Sequence, residues 1–300
     1  MSSRLKKIGL FIGLIFLIDW LMVAVFVASG GEWNTLNAMV LATAYMFVPM
    51  VCAIAVQKYY GEAVRRPLGI SFKVNRWWLV AWLLPPVIAF AALGVSLLFP
   101  DVTYSPGLEG MLERYQSVLT PEQMELIKKQ IEESPVHPIW LALIQGLVAG
   151  ITINAVAGFG EELGWRGFLQ RELDHMDFWR ASMVIGVIWG VWHAPLILQG
   201  HNYPQYPVIG VFMMIGWAVL LAPVFSYVRI KGKSVIAAAI IHGTVNATYG
   251  ISIMVLKGGN ELLIGVTGLA GFVVLLVVNL IIFFFDPEIK QGAVKGLLEH

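Results

Sequence analysis

Eight stretches of roughly twenty apolar residues run through this chain, and that length is what an α-helix needs to cross the hydrocarbon core of a bilayer. They fall at 8–28, 38–56, 77–99, 138–160 continuing towards 170, 181–199, 207–228, 234–254 and 262–285. In lipid every backbone N–H and C=O must be satisfied inside the protein, which a helix does within one segment. The chain is therefore expected to be all-α and polytopic, with about eight transmembrane helices in a single membrane domain over 1–300. Composition agrees, because 58% of the residues are hydrophobic and only 13% charged, about half the charge of a soluble domain. The first stretch follows Arg4, Lys6 and Lys7 as a signal peptide would. It is long for one and carries Asp19, so it reads as a retained span.

Basic residues concentrate in cytoplasmic loops and so set orientation. With a cytoplasmic N-terminus, fifteen Lys and Arg fall in cytoplasmic segments and four outside (Arg114, Lys128, Lys129 and Lys257), leaving Arg166 in the membrane and accounting for all 20. Both termini are expected to be cytoplasmic. The longest polar segment, 100–137, is then an outer loop. Within it Thr120-Pro121-Glu122-Gln123 reads as a capped helix start, predicting a short amphipathic helix over 121–133 whose charges form a solvated face. A net charge of +1 with no Lys/Arg cluster interleaved with aromatics gives no footprint for nucleic acid. Cys52, alone in an apolar run, excludes an intramolecular disulfide and reads as a packing residue. The end, Leu297-Leu298-Glu299-His300, is no prenylation signal. It resembles the start of an added tag, so His300 is given no role.

The chemistry is expected in the core helices over 138–254. Ionisable side chains in a span are costly unless they pair or face a cavity. Glu162 and Arg166 are four apart and share a helix face, whereas the adjacent Glu161 points about 100° away. One acid is thus neutralised and the other spare, and a spare carboxylate can act as a general base towards water. Trp189 and His193 share a face of the fifth span, where Pro195 loosens the helix as happens beside membrane cavities. His242 and Asn246 share a face of the seventh and can offer an imidazole and an amide to a developing oxyanion. Each pair alone reads equally well as a structural hydrogen bond. Gly146 with Gly150, Gly160 with Gly164, and Gly186 with Gly190 allow close helix approach. At 1.5 Å per residue, Glu161, His193 and His242 lie roughly 12–20 Å from their nearest cytoplasmic loop, so they can meet in one layer.

Glu-Glu-x-x-x-Arg, aromatic-x-x-x-His and His-x-x-x-Asn in this order on successive spans resemble the CAAX protease and bacteriocin-processing (Abi) family, over about 140–250. Trp189 stands where that family commonly has Phe. The resemblance implies an intramembrane endopeptidase with a polar cavity open to the cytoplasmic side. Carried over, Glu161 activates water with help from His193, His242 and Asn246 stabilise the oxyanion, and Glu162 and Arg166 tune Glu161. No cofactor is required in this reading. A zinc ion held by Glu161, His193 and His242 is the other possibility, though there is no His-Glu-x-x-His and three helices would have to place the ligands. The implied substrate is a membrane-associated peptide or protein, prenylated at its C-terminus or not, in the plasma membrane of a bacterium or archaeon. A non-catalytic immunity or scaffold protein with the same cavity is one alternative, and a small-solute transporter, motivated by Asp19, is another.

Overall fold

A computed structural model describes residues 3–33, 35–115, 120–292 and 294–299; His300 lies outside them. The helices are α1 (Ser3–Ala28), α2 (Leu36–Tyr59), α3 (Arg76–Ser96), α4 (Glu109–Tyr115), α5 (Pro121–Glu133), α6 (Pro138–Ile151), α7 (Ile153–Glu162), α8 (Gln170–Glu172), α9 (Phe178–Trp192), α10 (Ala194–Leu198), α11 (Pro207–Lys231), α12 (Val235–Thr248), α13 (Ile251–Met254), α14 (Leu269–Phe285), α15 (Pro287–Gln291) and α16 (Val294–Glu299). Each of the eight apolar windows is helical over most of its length, the last only from Leu269, and five stretches are long and apolar enough to cross a membrane: α1, α2, α3, α11 and Val235–Met254. The protein is an integral membrane protein. At 15 and 17 residues, α9 and α14 are shorter than that.

Local chemistry sets the helix ends. Side-chain oxygens of Thr35, Asn75, Asp177 and Ser234 accept backbone N–H bonds at the starts of α2, α3, α9 and α12, satisfying donors that a helix leaves open. In α5, Thr120 and Gln123 form a reciprocal capping box behind Pro121, as the sequence predicts. Three windows are broken where continuous spans are expected. The window 138–170 bends at Thr152 and widens into a π-helical turn over Leu163–Leu169. Window 181–199 breaks at His193, because Pro195 has no N–H to continue the ladder. The carbonyl of Trp192, released there, is taken up by the hydroxyl of Tyr45 at 2.6 Å and the indole of Trp20 at 3.3 Å. The third break, at Gly250, separates α12 from α13.

Central in the bundle, α12 packs on α3, α6, α7 and α11. The three glycine pairs lie at helix–helix contacts. A Cβ at Gly150 would meet Thr244 of α12 at 2.5 Å, one at Gly164 would meet Pro49 of α2 at 2.6 Å, and one at Gly186 would meet Val219 of α11 at 2.7 Å. Lipid gives no hydrophobic drive between helices, so such close backbone packing holds them together. Cys52 is buried and free, a packing residue.

The bundle has two chemically distinct ends. At one, Lys7 bonds Glu62 and Glu172, Arg4 bonds Asp174, Asn75 bonds the Lys231 carbonyl, and Lys231 bonds Asp286. At the other, Thr103–Tyr104 (β1) pairs antiparallel with Leu256–Lys257 (β2), a short ladder not expected in an all-α chain. Arg114 ties α4 to the carbonyls of Leu256 and Gly258, so the 100–137 segment and Lys257 share one end. The termini share the other.

Candidate active site

Three helices bring the motif residues to mid-bundle. Glu161 and Glu162 close α7, Trp189 and His193 lie at the end of α9, and His242 and Asn246 stand on α12. Glu162 is fully buried and accepts from Arg166 at 3.0 Å, the predicted i,i+4 pair. The same oxygen also accepts from His242 Nδ1 at 2.7 Å. Glu161 is held differently: one oxygen accepts the Trp189 indole N–H at 2.7 Å, and the other faces His242 Nε2 at 3.8 Å, beyond hydrogen-bond reach. The neighbouring acids thus have unlike partners, charged or ionisable for Glu162 and a neutral donor for Glu161.

The imidazoles are oriented through Nδ1. That atom of His193 lies 2.7 Å from the Trp189 carbonyl, which can only accept, so Nδ1 donates and Nε2 is left open. His242 donates through Nδ1 to Glu162 in the same way. Aromatic rings pack around them, with Trp192 4.7 Å from His193 and Phe225 5.4 Å from His242 between ring centres. The Arg166 guanidinium lies 4.8 Å from the Trp189 ring and 5.0 Å from that of Phe225, a cation–π setting that favours keeping the charge buried.

Glu161, Trp189, His193, His242 and Asn246 all line one chamber of about 250 Å³, whereas Glu162 and Arg166 stand behind its wall. Asn246 is exposed to it and makes no hydrogen bond with a described residue, so it is not half of a structural His–Asn pair. Asp19 is buried, with its carboxylate accepting the Trp192 indole at 2.7 Å. Its other oxygen is buried with no hydrogen-bond partner among the described residues. Among the described residues, no three His, Cys, Asp or Glu side chains converge as metal ligands. The set Glu161, His193 and His242 therefore does not fit a zinc site as it stands.

Sequence reasoning missed three features. It read Trp189 only as an aromatic, and its N–H is the partner of Glu161. It gave Glu162 to Arg166 alone. It also did not foresee His201, Asn202, Tyr249 and Thr267, which line the open side of the chamber and are shared with an adjoining cavity of about 500 Å³. These four lie at the end carrying β1 and β2, and no loop of the basic end lines the chamber. The open side of the chamber and the termini thus lie towards opposite ends of the bundle.

Fold and site together define a polytopic helical membrane protein with a buried carboxylate–imidazole–amide chamber. Residues 135–248 match the model of the Rce1-like family, described as type II CAAX prenyl endopeptidase. CAAX prenyl protease 2 of Methanococcus maripaludis is 32% identical over 93 residues, covering 29% of this chain and 34% of that protein. The chain thus spans about a third of the length of that curated relative. The matched segment holds every motif residue and leaves α1 to α3 and α14 outside it.

Proposed function

We propose that the chain is a CAAX-type intramembrane endopeptidase in which Glu161 activates water. The supporting observation is the division of labour between adjacent acids, since Glu161 alone faces the chamber and has no cationic partner within hydrogen-bond distance. A water beside Glu161 gives it a proton, and the resulting hydroxide attacks the scissile carbonyl carbon. The carbonyl π electrons move to oxygen, and the oxyanion is met by the Asn246 amide and by His242. For this His242 carries a proton on Nε2 as well as Nδ1, a state its bond to Glu162 supports. The oxyanion then re-forms the carbonyl, the C–N bond breaks, and the proton on Glu161 passes to the leaving nitrogen. His193, with Nε2 open, orients the water. No metal is required.

Glu161→Gln keeps the volume and the acceptor for Trp189 but removes the base. Expected is a loss of peptide cleavage of about 10²- to 10⁴-fold, in protein with unchanged Tm. Full turnover would sink the role, as would cleavage abolished by a chelator and restored by zinc. Binding without turnover in the wild type would identify a non-catalytic immunity or scaffold protein.

All eight apolar windows, α9 and α14 included, are read as crossing the membrane, with both termini cytoplasmic. The chamber then opens outward, and the substrate is a membrane-associated peptide presented at the outer face. The relative's name brings a prenylated C-terminus as the competing substrate, which needs the inverted orientation against the fifteen-to-four basic bias. Farnesylated and unprenylated peptides added to right-side-out and inside-out vesicles separate the two.

A further inference from the structure

At the basic end, well away from the chamber, a groove of about 1160 Å³ runs between the α2–α3 connection and the end of α11. Arg229 of α11 is only 6% exposed, its Nε is buried without a partner, and it makes no hydrogen bond or ion pair with any described residue. This is unusual, because a buried guanidinium left unpaired is costly. Its position is accommodated by Gly69, whose φ of +71° suits glycine and where a Cβ would stand 1.8 Å from Arg229 Nη2. Arg65, Arg66, Lys73 and Lys233 line the same groove, all exposed. The groove's one carboxylate, Asp174, is engaged by Arg4 at 2.9 Å.

We propose that this groove binds the phosphate headgroup of an anionic lipid, with Arg229 as its buried ligand. A guanidinium offers several N–H donors to phosphate oxygens, which would supply the counter-charge that the protein does not. Lipid is favoured over free phosphate because Phe72 and Val74, exposed by 71% and 70%, lie among the cations in the same groove. An acyl chain would cover them. The groove also sits level with the start of α3 and the end of α11, where headgroups meet a spanning bundle.

The test is thermal unfolding of the full chain in neutral detergent, titrated with phosphatidylglycerol, phosphatidylcholine or inorganic phosphate. Phosphatidylglycerol alone is expected to raise Tm. Arg229→Gln, and separately Arg65→Gln with Lys73→Gln, should weaken that response about fivefold or more. Gly69→Ala should do the same without changing net charge, by displacing Arg229. Lys290→Gln, at the same end but outside the groove, should leave it intact. An equal shift with phosphatidylcholine or inorganic phosphate would overturn the lipid assignment. If Lys290→Gln weakened binding as much as Arg65→Gln, the attraction would be diffuse and the site wrong. The paired exposed-residue variant keeps the proposal testable if Arg229→Gln or Gly69→Ala does not fold.

Discussion

Lys7 at the basic end and Arg166 at mid-bundle are both cations buried on apolar helices, 3% and 0% exposed, yet the acids around them are disposed of differently. Lys7 bonds both Glu62 and Glu172 at 2.7 Å, and Arg171 bonds Glu62 again at 2.9 Å. Every carboxylate in that cluster has a cation. Around Arg166 only Glu162 is bonded to it, and Glu161 is turned to an indole and a chamber. A saturated cluster joins helices; an unsaturated one beside a cavity keeps a group free to react. The largest effect that separates them is catalytic. Glu161→Gln should cost about 10²- to 10⁴-fold in cleavage, while Glu172→Gln should leave turnover per folded molecule unchanged. Equal losses from both would erase the distinction.

Stability should show the reverse emphasis. Arg166→Met strips Glu162 of its guanidinium partner inside the bundle and leaves it His242 alone, and losing one partner of a buried pair costs about 3–5 kcal/mol. A fall in unfolding midpoint in neutral detergent reads this directly. Glu161→Gln leaves that pair intact and should barely move it. If Arg166→Met were as stable as the wild type, Arg166 would not be the anchor of Glu162, and Trp189 and Phe225 would hold the guanidinium alone.

Much of this contrast was legible in the residues. Spacing of four paired Glu162 with Arg166 and freed Glu161, and the apolar windows fall on the five stretches long and apolar enough to cross a membrane. What escaped has physical reasons. A hydrogen bond from Trp189 to Glu161 joins two helices 28 residues apart, and no periodicity within either helix carries it. The breaks at Thr152 and Gly250 were hidden because a run of apolar residues reports length, not straightness. Lys7, Glu62 and Glu172 come from α1, the α2–α3 connection and α8, and no local spacing brings residues so far apart in the chain together. The exit of the chamber depends on how the connections after α10 and α12 fold, where no motif lies.

The smallest effect concerns pH at the saturated end. Burial raises the Glu62 carboxyl, but hydrogen bonds from Lys7 and Arg171 outweigh it and hold the group below its ordinary 4.5. Asp286 behaves alike: burial raises it, while Lys231 and the Ile289 N–H bring it below 3.8. A depressed folded-state value means the unfolded chain takes up protons first, so the stabilisation is complete above the ordinary value and lost as pH falls through the folded one. The unfolding midpoint should therefore decline between about pH 5 and pH 3. Lys7→Met should cost about 1–2 kcal/mol at neutral pH, less than a fully buried pair because Glu62 is a third exposed and keeps Arg171. It should also flatten the acid decline. An unchanged decline in Lys7→Met would mean that carboxylates elsewhere govern acid unfolding, and that this cluster contributes packing and not charge.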